Sequence, residues 1–253
     1  MKRKIYLAFC FVFGIMFIVS AVGVGVTLNR YRKSTKTYDD LQYHYIMQNE
    51  PEQATNSEAE QNIPISVDFP SLMQENSDII GWLYCENTPI NYPVVQSNDN
   101  DYYLRRDLHG NYLYSGTLFA DFRCPAVGTG QNFIIYGHFM KNAMMFGTLE
   151  KYKDQSYYDE HPVLYYLTPD KSYMIELFAS FVTDADSDIY SPEFGDTDKF
   201  EAVLQNIKDN STFVSDVSVT GDDHIVMLST CSHDFNNARY VVFGKLTCLS
   251  DPN

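Results

Sequence analysis

The chain has 253 residues, 18 basic and 33 acidic side chains and a formal net charge of −15, which is length for one large domain or two small ones. Its 45% hydrophobic and 20% charged content, with 13 Gly and 10 Pro, excludes the disordered, collagenous and low-complexity classes. Residues 1–36 hold seven bases and no acid, leaving 11 bases against 33 acids, a net of −22, in the remainder; a surface this acidic repels phosphates and argues against a nucleic-acid partner.

The first element is an apolar run from Ile5 to Leu28, flanked by Lys2, Arg3 and Lys4 before it and by Arg30, Arg32 and Lys33 after it. About 20 apolar residues cross a bilayer as a helix, and the run lacks the small-residue site that ends a cleaved signal peptide, so it reads as a retained membrane anchor. Bases on both sides leave its orientation open to charge counting. This divides the chain into a stub at 1–4, an anchor at 5–28, a juxtamembrane segment and linker at 29–62, and a folded domain at 63–253. Residues 37–49 suit a short juxtamembrane helix, and 51–62 are polar and free of aromatics, as in a linker.

From Ile63 onward, eight runs rich in β-branched and aromatic residues are separated by turn signals: 79–84, 90–95, 112–120, 132–137, 163–168, 172–182, 224–230 and 239–247. Eight runs suggest a β-barrel or sandwich. Helical patterns are expected from Phe69 to Asn76 behind Asp68, from Phe146 to Tyr152, and from Lys199 to Lys208, where Phe200, Val203, Leu204 and Ile207 recur at i, i+3, i+4 and i+7 behind Thr197 and Asp198.

Cys231 ends an apolar run in HIVMLSTCSHDF, which places a thiol at a strand exit. A thiol is a useful nucleophile where a base or cation poises it. Arg239 opens the next run after a loop of seven residues, so the two side chains fit one rim of a hairpin. Among the six histidines, His138 follows FIIYG at another strand exit. His44, His109 and His161 read as solvated, His224 has no obvious partner, and His233 lies at i+2 from Cys231, beyond normal hydrogen-bond reach. Cys10, Cys85, Cys124 and Cys248 are too scattered for a disulfide scaffold or zinc site, and Cys85 reads as core-facing.

These residues carry a resemblance. MLSTCSHDFNNARYVVFGKL is similar to the TLxTC strand, loop and arginine strand of sortases, the cysteine transpeptidases of Gram-positive surfaces, with Met227 where Thr is usual. INYPVVQSNDNDYYLRRD, GTLFADFR and NFIIYGHFMKNAMMFGTLEKYKDQSYYDEH resemble class B sortases in particular, and the match runs from about Ile79 to Leu246. The resemblance implies a mainly β fold, an eight-stranded sortase-type barrel with a few peripheral helices, one of them inserted near 199–208. It implies Cys231 as nucleophile, His138 as general acid/base and Arg239 as oxyanion stabiliser, with the Ser232 N–H as a second donor. Ser229, Thr230, Ser232, Ile189 and Tyr190 are the substrate-binding candidates. The implied reaction cleaves a Pro-x-Thr type sorting signal near the C-terminus of a secreted protein and transfers the protein to an amine of peptidoglycan. The implied location is the bacterial membrane, single-pass, with the catalytic domain outside. A pilus-polymerising sortase using a pilin lysine and a catalytically silent membrane-tethered scaffold are the alternatives. No metal or other cofactor is expected, because the acidic residues form no calcium-type loop.

Overall fold

The computed structural model describes residues 2–49 and 63–250. Helix α1 (Lys2–Tyr45) leads into strand β1 (Ile46–Gln48), which pairs antiparallel with β2 (Ile65–Val67). The segment 51–62, read as a linker, lies outside the described residues. Helix α2 (Phe69–Glu75) follows; the Asp68 carboxylate caps it by accepting from the Ser71 N–H at 3.1 Å, and Pro70 sits at its start. Phe69 and Leu72 bury one face of α2 against Trp82, Val95 and Phe119, each apolar side chain contributing about 1.5–3 kcal/mol.

Strands β3 (Ile79–Tyr84), β4 (Asn91–Val95), β5 (Leu118–Ala120), β6 (Asn132–Tyr136), β7 (Val163–Leu167), β8 (Ser172–Asp184), β9 (His224–Cys231) and β10 (Ala238–Ser250) close into a barrel in the order β10-β8-β7-β3-β4-β5-β6-β9. The β4–β5 and β6–β9 pairs are parallel and the rest antiparallel. Closure leaves no unpaired edge, and side chains such as Leu83, Ile134, Ile175, Met227 and Val241 fill the interior with no exposure. Short helices Tyr102–Arg105, a 3₁₀ turn, and α3 (Gln155–Glu160), preceded by a 3₁₀ turn at Leu149–Lys153, cover the outside. Helix α4 (Thr197–Asp209) is inserted between β8 and β9.

The eight expected runs coincide with the eight barrel strands, with one shortened. The run 112–120 becomes strand only from Leu118, because Gly116 turns the chain with φ +60°. No helix begins at Phe146: its N–H donates to the His138 carbonyl at 3.2 Å, folding the loop back on β6, and the helical turn starts at Leu149. Helix α4 is longer than the sequence pattern and is capped by Asp196, which accepts from Lys199 N–H at 3.1 Å, rather than by Thr197 or Asp198. The stretch after Leu28 is not a separate helix. Helix α1 runs on unbroken to Tyr45, because its far end packs on the barrel: Tyr38 is buried, its ring stands edge-on to Tyr92 at 5.1 Å, and its hydroxyl donates to the Gly116 carbonyl. The near part of α1 is long and apolar enough to cross a membrane.

Candidate active site

The site follows from strand register. In the parallel β6–β9 pair, Tyr136 stands opposite Ser229, and the Gly137 N–H donates to the Ser229 carbonyl at 3.1 Å. Two residues further along each chain come His138 and Cys231. On the other side of β9, Arg239 pairs directly with Cys231 across the antiparallel β9–β10 ladder, at a Cα spacing of about 4.5–5.5 Å for such partners. Three neighbouring strands thus deliver an imidazole, a thiol and a guanidinium to one rim, where all three line a cleft of about 490 Å³.

His138 is half-buried, and its Nε2 lies 2.6 Å from the Leu104 carbonyl. A carbonyl only accepts, so the proton sits on Nε2 and the Nδ1 lone pair carries no hydrogen bond among the described residues. Burial, and then the positive charge of Arg105, hold the imidazole below its ordinary pKa of 6.5 against the opposing pull of Leu104, so it rests neutral. Leu104 belongs to the 3₁₀ turn, and its carbonyl is packed by Gly116, where an added Cβ would lie 2.4 Å from the oxygen. Cys231 is exposed at the end of β9. Arg239 is half-buried, gives one N–H to the Ala238 carbonyl at 3.0 Å, and has no carboxylate within ion-pair distance among the described residues. The same nitrogen also lies 3.5 Å from the Asn237 carbonyl, and the guanidinium lines the cleft.

One wall of the cleft is Tyr190, whose ring stacks on Tyr136 at 6.2 Å and whose hydroxyl pairs with Ser229 Oγ at 2.8 Å. Burial pushes its phenol up to about 12, against the lowering effect of Ser229 and Arg239, so it stays protonated. Behind the wall lies Asp121, fully buried, which accepts from Arg123 Nε at 2.9 Å and a terminal guanidinium nitrogen at 2.7 Å, from the Tyr136 hydroxyl at 2.9 Å and from Asn100 at 3.1 Å. Burial pushes this carboxyl up, but those donors outweigh it and hold the group below its usual value, charged and fixed. Arg123 also donates to the Tyr190 carbonyl at 2.9 Å, which ties the wall to the barrel.

Of the substrate-binding candidates, Ser229, Thr230 and Tyr190 line the cleft. Thr230 is buried, and its hydroxyl has no hydrogen-bond partner among the described residues. Ile189 is not a lining residue: its apolar side chain is buried in the main hydrophobic core, while Tyr190, packed against the same core, lines the cleft. Ser232 also turns away, its hydroxyl within reach of the Glu150 and Asp234 carboxylates, and its N–H donates to the Ala238 carbonyl at 3.0 Å. That N–H closes the β9–β10 ladder and is not a free second oxyanion donor. Asn100, Leu104, Arg123 and Tyr136 also line the cleft; none is among the expected site residues, although all lie in the segments that carry the resemblance.

The other histidines are engaged elsewhere. His224 pairs through Nδ1 with the Gly130 carbonyl at 2.8 Å, and His233 stands edge-on to Phe139 at 5.6 Å. His161 is not solvated: its side chain is 11% exposed and packs on the Tyr157 ring at 4.6 Å. Cys85 and Cys124 are buried thiols, each pushed up to about 11 by that burial, and neither has nucleophile character at neutral pH. A larger hollow of about 630 Å³ between α3 and the 214–218 segment is lined by neither cysteine nor histidine.

The family match agrees with this geometry. The sortase domain family covers residues 83–247. Sortase B of Listeria monocytogenes is 34% identical over 235 residues, 91% of this chain and 92% of the relative. A crystal structure of sortase B from Bacillus anthracis in complex with AAEK1 is 33% identical, with a TM-score of 0.73 over 87% of this chain and 99% of that one. A Staphylococcus aureus sortase B–substrate complex is also 33% identical, with a TM-score of 0.68 over 72% and 85% of the two chains. This chain belongs to the sortase family of cysteine transpeptidases and, within it, to class B.

Proposed function

We propose that Cys231 is the nucleophile, His138 the proton carrier and Arg239 the oxyanion donor of a transpeptidase that joins secreted proteins to a peptidoglycan amine after cutting a Pro-x-Thr type signal. The observation that carries this reading is the register that brings the three side chains to one rim from β6, β9 and β10. Cys231 attacks the carbonyl carbon of the signal threonine while Nδ1 of neutral His138 takes the thiol proton, and Arg239 donates to the developing oxyanion. Collapse breaks the C–N bond, His138 returns its proton to the departing amine, and a thioacyl-enzyme remains. An incoming amine then attacks the thioester, passes its proton to His138, and leaves as the new amide while the thiol is regenerated. Thr230, whose buried hydroxyl is unpartnered beside Cys231, supplies a hydrogen bond to the bound signal, and Tyr190 forms the wall on which it lies.

We further propose that the apolar segment of α1 anchors the chain in the cell membrane as a single span, and that the barrel stands on the outer face, an orientation taken from the sortase family, where secreted signals and wall precursors are met. The full chain in detergent, given a panel of quenched Pro-x-Thr peptides with and without oligoglycine or diaminopimelate-type amines, tests the reaction. The expected product is a new amide that requires Cys231. Hydrolysis alone at saturating amine, or cleavage that survives Cys231→Ala, would overturn the assignment.

A further inference from the structure

Where α1 leaves its apolar stretch, three cations gather without an acid to balance them. The Arg30 guanidinium lies 5.4 Å from the centroid of the Tyr114 ring, and Arg105 lies 4.9 Å from the same centroid. Lys33 donates to the Tyr112 carbonyl at 3.1 Å, and Arg105 donates to the Tyr114 carbonyl. Tyr31 packs on Tyr114 at 6.0 Å. None of the three cations has a carboxylate within ion-pair distance among the described residues, although the chain beyond residue 36 carries three acids for every base. Asp107, between Arg105 and Tyr112, is buried and spends its carboxylate on the His109 and Asn111 N–H groups.

Depth decides what could neutralise them. At about 1.5 Å per helical residue, Arg30 and Lys33 stand roughly 3 and 8 Å beyond Leu28. The headgroup layer is roughly 5–8 Å thick on each side of the hydrocarbon. The loop 105–114 is held to that stretch of helix, so it lies in the same layer, with Tyr112 58% exposed as an interfacial aromatic.

We propose that Arg30, Lys33 and Arg105, with Tyr112 and Tyr114, form a collar that binds the phosphates of anionic phospholipid headgroups and clamps the 105–114 loop of the barrel to the membrane surface. This rests on the membrane-anchored reading of α1. The loop adjoins the active site: Leu104, one residue before Arg105, lines the cleft and accepts from His138. The clamp therefore fixes the height of the cleft above the bilayer, and a phosphate at Arg105 offsets the charge that bears on the imidazole.

The test is hydrogen exchange on the full chain in phosphatidylcholine vesicles, with and without phosphatidylglycerol. The 105–114 amides include Asp107 and Leu113, bonded to Asn111 and Arg105 carbonyls at 2.9 and 3.0 Å, and so report opening of the loop. Phosphatidylglycerol should slow their exchange roughly fivefold or more, high salt should erase the difference, and the combined Arg30→Gln, Lys33→Gln, Arg105→Gln chain should show none. Equal protection of the unaltered chain in both lipids overturns the collar, and so does equal protection by soluble glycerol phosphate. Alkaline carbonate extraction of the same vesicles separates the two readings: release of the chain overturns the anchor and the collar together, while retention with lipid-independent exchange overturns the collar alone.

Discussion

Among the described residues the Arg239 guanidinium has no anionic partner to give up before it meets an oxyanion, which makes its truncation a direct measure of what it donates. Arg239→Ala should lower kcat/KM by a factor of 10²–10³, about 3–4 kcal/mol, with most of the loss in kcat. A loss confined to KM in steady-state peptide assays would make it a substrate clamp instead. His138 gives a pH signature. Its folded pKa is depressed, so the unfolded chain binds the proton first, and stability present above about pH 6.5 is lost as pH falls from there through the folded value. His138→Gln should flatten that part of the stability curve, and an unchanged acid limb in urea melts would remove the shift from the account. That Cys231, His138 and Arg239 stand at strand ends was legible in the sequence, because each ends or begins an apolar run. Ile189 and Ser232 were misplaced because side-chain direction depends on backbone geometry and on ladder closure, which neighbouring letters do not encode.

At the scale of elements, the site depends on a turn that contributes no reacting group. Gly116, at φ +60° and with no room for a Cβ beside the Leu104 carbonyl, lets that carbonyl reach His138. Gly116→Ala should destabilise the fold by at least about 1 kcal/mol and also depress kcat by disturbing the imidazole. A variant that loses thermal stability while keeping kcat would show that the carbonyl does not position the ring. Helix α4 offers a control far from the thiol: Asp196→Ala should cost about 1 kcal/mol through its lost cap and leave peptide turnover unchanged. The strands were legible because each is a short apolar run between turn residues, and α4 because its apolar residues recur at helical spacing. The order of the strands in the barrel was not, since the parallel pairing of β6 with β9, which joins His138 to Cys231, links residues about 90 apart in sequence and leaves no local pattern.

For the whole molecule, the extension of α1 onto the barrel connects anchor and site through solid contacts. Tyr38 donates to the Gly116 carbonyl and lies 3.1 Å from Thr117 Oγ1, Gly116 packs on Leu104, and Leu104 holds His138. Tyr38→Phe leaves the Gly116 carbonyl and the Thr117 hydroxyl without that partner and should cost about 1–3 kcal/mol, read as a lower melting temperature of the full chain. An unchanged melting temperature would mean that the helix merely rests on the barrel. The sequence signalled the apolar span but not the docking, because Tyr38 stands among polar residues and its burial is set by a partner surface built from residues 92 and 116–117. In the proposed reaction these elements converge on one covalent step at Cys231. Intact-mass analysis of the full chain incubated with an uncleaved Pro-x-Thr sorting peptide, whose C-terminal fragment is the leaving amine, reports on that step. An acyl adduct on Cys231 should accumulate without amine, discharge into an amide when amine is added, and be absent in Cys231→Ala. An adduct on another residue, or amide product formed without passage through a Cys231 adduct, would contradict it.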